Sequence, residues 1–237
     1  MTELLYLTDS YLREFTGVVV EQAEGGVVLD RTAFYPQGGG QPSDVGSLQD
    51  EDGRQYVVRK VQKVQGKVIH KIDGEVPGVG KQVRGEIEWE HRHRMMRTHT
   101  ALHILCGVIW RDYGAQVTGG NMEPLKARMD FELESMSTAF SDEVEAKINA
   151  EVVAARPVRV DILPREEAFQ IPDLIRTKIN LLPESIQEVR VVEIEGLDLQ
   201  ADGGTHVANT REVGRIVVTG HESKGRINKR LRIEIED

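Results

Sequence analysis

His99 and His103 stand four residues apart in Arg97-Thr98-His99-Thr100-Ala101-Leu102-His103, and a third histidine, His206, closes the distant run Asp202-Gly203-Gly204-Thr205-His206. At i,i+4 on a helix two imidazoles share one face, where their ring nitrogens can converge on a single ion. The distant run offers a third imidazole and two glycines, Gly203 and Gly204, that let the backbone turn sharply and come close to an ion or a ligand. It also offers a carboxylate, Asp202, as a candidate fourth ligand. Zinc is the metal that such a donor set suits best. Taken by itself the helical pair reads equally as two helix histidines with ordinary hydrogen bonds, since short histidine spacings recur by chance. The glycine-flanked third histidine tips the reading towards a metal.

In the familiar helical zinc motif H-E-x-x-H, a glutamate beside the first ligand acts as general base for peptide hydrolysis. Here that position is Thr100, which argues against a peptidase of that type. Structural zinc sites are usually rich in cysteine, and the chain has one, Cys106. Three imidazoles with at most one carboxylate are closer to the open, catalytic kind of site. Cys106 follows His103 by three residues, so it is either a further member of the cluster or a small core residue of the apolar run around it.

These residues need elements to position them. The 237 residues suffice for two modest domains. No apolar run spans a bilayer, the N-terminus lacks the pattern of a signal peptide, and one cysteine forms no internal disulfide, so a cytoplasmic protein is expected. A net charge of −9 argues against indiscriminate nucleic-acid binding. Two local basic concentrations stand out against it, His91-Arg92-His93-Arg94 with Arg97, and Lys224-Gly225-Arg226 with Lys229, Arg230 and Arg232. Each is either a solvated face or a phosphate contact.

Residues 1–85 show β-branched alternation at 15–20, 26–30, 54–64 and 67–72, separated by glycine-bearing turns such as Gln65-Gly66, and predict a small β-barrel domain. Within it, Gly38-Gly39-Gly40 presents either backbone N–H groups to an anion or ligand, or an irregular loop with unusual backbone angles. No Lys-Ser/Thr follows, so it is not a P-loop. Residues 86–237 predict an α+β domain: a long helix over about 86–113 carrying His99 and His103, strands at 115–118 and 126–132, and a helix over 141–155. Strands follow at 158–163, 188–194, 213–219 and 227–235, with short helices and loops over 164–183 and the Asp202–His206 run in the loop after the 188–194 strand.

The chain resembles the alanyl-tRNA editing proteins, the freestanding AlaX group, and the corresponding editing region of alanyl-tRNA synthetase. The resemblance rests on four stretches: Tyr35-Pro36-Gln37-Gly38-Gly39-Gly40-Gln41-Pro42-Ser43-Asp44; Arg97 to His103; Pro124 to Phe131, ending in Arg128-Met129-Asp130-Phe131; and Gly203-Gly204-Thr205-His206-Val207 with Asn209-Thr210 and Gly214. They span nearly the whole chain, which is similar to the medium-length type. The resemblance implies hydrolysis in trans of the ester between a wrongly attached amino acid and the 3′ end of alanine tRNA, with serine the main misacylated amino acid and glycine a second. Its implied partner is the acceptor end of tRNA(Ala), and its implied cofactor is one zinc ion held by His99, His103 and His206, with Asp202 either a ligand or a group orienting His206 or a metal-bound water. Thr100 is then a candidate to meet the serine hydroxyl, with Asp202 a second catalytic candidate. Gly203 and Gly204 would admit the substrate, and Gly38, Gly39 and Gly40 would help shape its binding site.

Two positions depart from the family pattern. Asp202 stands where cysteine is usual, replacing a thiolate with a harder oxygen donor. Val117, adjacent to Gln116, falls where synthetase editing regions tend to have glutamine. The zinc-like editing domain associated with threonyl-tRNA synthetase has similar histidine motifs, and a non-catalytic RNA-binding module with a structural metal is a further rival. The glycine loop and the run from Asp202 to His206 favour the alanyl reading.

Overall fold

In the computed structural model, whose described residues are 1–177 and 186–236, the chain forms two compact units, Met1–Arg94 and Met95–Asp237. The first contains β1 (Glu3–Leu4), β2 (Glu14–Ala23), β3 (Gly26–Leu29), β4 (Arg31–Thr32), β5 (Gly46–Asp50), β6 (Gln55–Val64), β7 (Lys67–Ile72) and β8 (Gln82–Ile87). Six of these strands close into a barrel in the order β2-β3-β7-β6-β5-β8. Period-two patterning drives it: along β2, Phe15 and Val19 face a core that also holds Leu29, Phe34, Leu48, Val58 and Val61. The β6–β7 hairpin turns at Gln65-Gly66, both at positive φ (50° and 80°), as a tight two-residue turn requires.

β5 and β8 were not expected from the sequence, because glycines at Gly46 and Gly85 weaken their strand signal. Their reason is spatial. A Cβ at Gly85 would lie 2.2 Å from the Phe15 ring, so the missing side chain makes room for an aromatic plug of the barrel.

The Gly38–Gly40 segment is a narrow reverse turn. Gly38 and Gln41 exchange both backbone hydrogen bonds (3.1 and 2.9 Å), with Gly39 and Gly40 at φ 56° and 85°. At its base the Tyr35 N–H donates to Asp44 Oδ2 (2.5 Å), and Arg92, fully buried, donates to both Asp44 oxygens and to the carbonyls of Ser10 (2.8 Å) and Ala33 (2.6 Å).

Arg92 lies on α1 (Trp89–Tyr113), whose first turns belong to the first unit and whose remainder runs through the second. Nearly every residue from Met95 to Ile109 is buried, so this is a helix wrapped on all sides rather than one with a solvated face. Gly114, at φ 62°, ends it by donating its N–H to Trp110 O (2.9 Å).

The second unit continues with β9 (Val117–Glu123), β10 (Lys126–Glu132), α2 (Thr138–Val153), β11 (Val158–Pro164), α3 (Arg165–Ala168), β12 (Glu188–Ile194), β13 (Asp198–Ala201), β14 (Ile216–Ser223) and β15 (Asn228–Ile235). One sheet runs β14-β15-β10-β9 and the other β11-β12-β13, all antiparallel. α2 begins earlier than its sequence suggests because Ser137 caps it, accepting from the Phe140 N–H (3.2 Å). β9 lies later than expected, paired through the Pro124-Leu125 turn, with Leu125 at φ 62°. β13 was not expected at all. Of the segment expected to hold short helices and loops, α3 is present and 178–183 lie outside the described residues. Among the described residues no helix is long and apolar enough to cross a membrane.

Candidate metal centre

Helical spacing and burial present His99 and His103 together on α1, their ring centroids 5.1 Å apart. The third imidazole arrives with the backbone that leaves β13. The Asp202 N–H donates to Arg190 O (3.1 Å), carrying the ladder with β12 one residue past β13, and the chain then turns through Gly203-Gly204 to bring His206 against both helix histidines. His206 lies 4.3 Å from His99, nearly parallel, and 4.6 Å from His103, nearly perpendicular. One donor atom from each of His99, His103, Asp202 and His206 lies within 4.8 Å of the others.

The outer contacts of these rings determine which nitrogens face inward. His103 Nδ1 lies 3.0 Å from Asp198 Oδ2, a contact in which the ring donates through Nδ1–H and Nε2 is left to ligate. His206 Nδ1 is 3.2 Å from Thr100 Oγ1, which also accepts from the Val207 N–H (3.2 Å). His206 Nε2 then faces Asp202 Oδ2 (3.0 Å), and His99 Nε2 faces Asp202 Oδ1 (3.5 Å). The Gly204 N–H holds Oδ2 (2.6 Å).

Burial pushes the His99 imidazole down to about 4, only partly countered by the Asp202 carboxylate. Burial, together with His99, also holds His206 well below the usual histidine range. At His103 burial works in the same direction, but Asp198 outweighs it and the net shift is upward. Burial would raise Asp202, yet the surrounding imidazoles, His99 foremost, leave it well below the ordinary carboxylate range. At His99, His206 and Asp202 these shifts favour neutral rings beside an ionised carboxylate, the protonation states that a metal ion needs, whereas at His103 the ion would have to displace any proton from Nε2. A tetrahedral ion with bonds near ~2.1 Å sets its ligands about 3.4 Å apart, a modest contraction of the grouping present, so the donor set fits zinc.

Comparison with known proteins gives the family. Residues 5–91 match the family model described as tRNA synthetases class II (A), and residues 189–232 match the threonyl and alanyl tRNA synthetase second additional domain. The alanyl-tRNA editing protein AlaX-M of Saccharolobus solfataricus is 43% identical over 98% of both chains, and its namesake in Methanosarcina acetivorans is 41% identical over the full length of both. The chain belongs to the alanyl-tRNA editing protein family. It is also 38% identical to the alanine–tRNA ligase of Pyrobaculum aerophilum over 92% of this chain and 25% of the ligase, so this editing protein corresponds to one portion of a much larger synthetase.

The other site residues expected for such an editing protein fall as follows. Thr100 is fully buried with its hydroxyl engaged by His206 and Val207, a position that steadies a candidate ligand. Gly203 is exposed, with open space where a side chain would be, whereas Gly204 is buried and uses its N–H on Asp202. Gly38, Gly39 and Gly40 belong to the first unit, where Gly38 is tied to Gln41 and Gly39 and Gly40 are exposed. Cys106 is buried beside Asp198 and Gln200, its thiol pushed well up by burial, and it is outside the four-residue donor group. Val117 is buried at the start of β9, donating its N–H to Arg176 O (3.0 Å).

Sequence reasoning missed Asp198, Gln200, Arg176 and Arg190. Arg190 Nη1 donates to Asp202 O (2.9 Å), and Gln200 Nε2 to Asp198 Oδ2 (2.7 Å). A signal for two of them was present: Asp198-Leu199-Gln200-Ala201-Asp202 alternates with period two, a strand whose polar face looks inward.

Proposed function

We propose that this chain is a zinc-dependent deacylase that hydrolyses, in trans, the aminoacyl ester of mischarged Ser-tRNA(Ala), and of Gly-tRNA(Ala) as a second substrate. The observation that carries this reading is the convergence of His99, His103, His206 and Asp202 in a chain of the alanyl-tRNA editing family. His99, His103 and His206 would hold the ion through Nε2. Asp202 would stand beside the ion with Oδ1 turned towards it, its Oδ2 held by the Gly204 N–H, which would leave the fourth position to water or to the ester. Zinc held there supplies Lewis acidity, orienting water and polarising the ester carbonyl, which suffices for an activated ester without the adjacent glutamate of peptidases.

The chain's own groups do the rest. Thr100 keeps His206 in one orientation, so its contribution to catalysis runs through that imidazole rather than through the seryl hydroxyl. Asp202 is the one carboxylate of the donor group and the candidate acceptor for a proton leaving the attacking water. The exposed backbone at Gly203 leaves room for the terminal adenosine and its amino acid. Gly39 and Gly40, exposed on their turn, remain candidate contacts for tRNA, with Gly38 shaping that turn. A hydrolase of aminoacyl-tRNA would work in the cytoplasm.

A second reading, editing of the threonyl class, is kept because the matched C-terminal family model describes both classes. Single-turnover deacylation of Ser-tRNA(Ala), Gly-tRNA(Ala), Ala-tRNA(Ala) and Ser-tRNA(Thr) separates the two. The expected result is metal-dependent acceleration for the first two, with Ala-tRNA(Ala) spared. Faster turnover of Ser-tRNA(Thr) would favour the threonyl class, and no acceleration on any of the four by metal-loaded protein would remove the enzyme reading.

A further inference from the structure

Behind the donor group lies a carboxylate that neither the family motifs nor the metal set includes. Asp198, at the start of β13, has a fully buried side chain. Taking a carboxylate out of water is costly unless its partners are well placed, so the quality of its contacts shows what it is buried for. Its Oδ2 accepts from His103 Nδ1–H at 3.0 Å and from Gln200 Nε2 at 2.7 Å. Its neighbouring cation is placed less well: Arg176 Nε, on a side chain stacked over Trp110, stands 3.7 Å from Oδ1, and neither of those two atoms makes a hydrogen bond. The good geometry is therefore spent on the imidazole, and the guanidinium supplies charge balance at longer range.

The backbone is arranged to permit this contact. One turn beyond His103, α1 carries Gly107, and a Cβ there would lie 2.9 Å from Leu197 Cγ and 3.1 Å from both Leu197 O and Asp198 Cβ. The corner that opens β13 can press against the helix, and so reach His103, because residue 107 has no side chain. Glycine inside a helix is destabilising relative to alanine, so its presence in a buried helical run matches a need for close approach.

We infer that Asp198 is a positioning residue for the metal centre: it holds His103 by Nδ1 so that Nε2 faces the ion, with Gln200 fixing the carboxylate and Gly107 admitting it. The inference rests on the reading that His99, His103 and His206 hold a metal. Carboxylates hydrogen-bonded behind ligating histidines fix the ring's tautomer and raise its basicity, and removing such a partner costs roughly 10- to 100-fold in metal affinity.

The test compares zinc affinity, by competition with a chromophoric chelator, for the wild-type chain, Asp198→Asn and Gly107→Ala. It adds the 15N-detected tautomer of His103 in the metal-free protein at basic pH. Asp198→Asn is expected to lose about 10- to 100-fold in affinity. Gly107→Ala, which keeps every polar group, should lose affinity in the same direction by a smaller factor. The wild-type ring should carry its proton on Nδ1. If the wild type binds zinc while both variants bind equally tightly, or if metal-free wild-type His103 carries its proton on Nε2, the positioning role is overturned. A lowered melting temperature with unchanged affinity also overturns it, since that is the mark of a merely structural carboxylate. Should Asp198→Asn fail to fold, Gly107→Ala and the wild-type tautomer decide. Failure of the wild type to bind zinc would instead overturn the metal reading itself.

Discussion

The Arg92–Asp44 pair of the first unit and the His99–His103–Asp202–His206 group of the second are both buried sets of ionisable side chains, yet they treat their polar atoms in opposite ways. Arg92 spends its donors on both oxygens of Asp44 and on the Ser10 and Ala33 carbonyls, and Asp44 also accepts from the Tyr35 N–H. Every strong group there has a protein partner, which is how a buried pair that only holds the chain together must be built. In the second unit three imidazoles and a carboxylate turn their donor atoms towards one another, while their outer atoms are tied to Asp198, Thr100 and Gly204. Partners at the back with convergence at the front give a group of donor atoms that could hold a metal ion. Burial and charge do not distinguish the two regions; the direction in which the polar atoms point does.

This contrast can be broken, and the sharpest attempt is Arg92→Leu. It leaves the Asp44 carboxylate buried without its partner, and unfolding by urea should show a loss of about 3–5 kcal/mol. A loss under ~1 kcal/mol would mean that the pair is not the structural half of the comparison.

Acidification probes the same unit through His70, whose ring is buried in the barrel with Nε2 2.8 Å from Thr32 Oγ1 and whose pKa burial has pushed down to about 4. Its folded value lies below its unfolded one, so folding favours the neutral ring. The associated stability is full above pH ~6.5, declines as pH falls towards 4, and amounts to about 3 kcal/mol in total. Denaturation midpoints over that window should fall in the wild type and flatten in His70→Gln. An unchanged slope in the variant would assign the acid sensitivity to other groups.

In the second unit the sign of the comparison reverses. His99→Ala should abolish stoichiometric zinc binding and slow deacylation by more than about 100-fold, beyond the usual cost of losing an outer partner. Chelation of the wild type should reproduce the loss, and added zinc should restore only the wild type. Metal content by mass spectrometry beside single-turnover rates checks both, and a His99→Ala protein that retains zinc and rate would dissolve the contrast.

The smallest effect separates the fold of the second unit from its chemistry. Ser137→Ala removes the α2 cap and should cost about 1 kcal/mol in thermal unfolding with no change in deacylation rate. A change in rate would mean that α2 is coupled to the site.

Parts of this organisation were legible in the chain because they are local. His99 and His103 are recognisable as one helix face, Gln65-Gly66 as a hairpin turn, Gly114 as a helix end, and β12 by its β-branched run. Other parts were hidden for physical reasons. β8 contains Gly85, a residue chosen by the ring of Phe15 across the sheet and not by strand propensity. β13 is four residues long, and its two apolar residues, Leu199 and Ala201, which pack on a small apolar cluster, alternate with Asp198 and Gln200, a pattern too short to stand out as a strand. Thr100 stands beside His99 in sequence, and the 3.2 Å contact of its hydroxyl with His206 Nδ1 joins positions that no local pattern links.

By itself the sequence determined the donor types and the pairing of two histidines, since helical geometry converts a spacing of four into a shared face. It also carried enough family-specific motif to identify an editing protein. Which nitrogen each ring presents, and what stands behind it, were decided only by the tertiary structure. Asp198 reaches His103 across 95 residues and Thr100 reaches His206 across 106, distances that no local rule spans. A hydrogen bond between such partners exists only once two sheets and a buried helix have brought their backbones together, and at Gly107 that approach depends on a side chain that is not there.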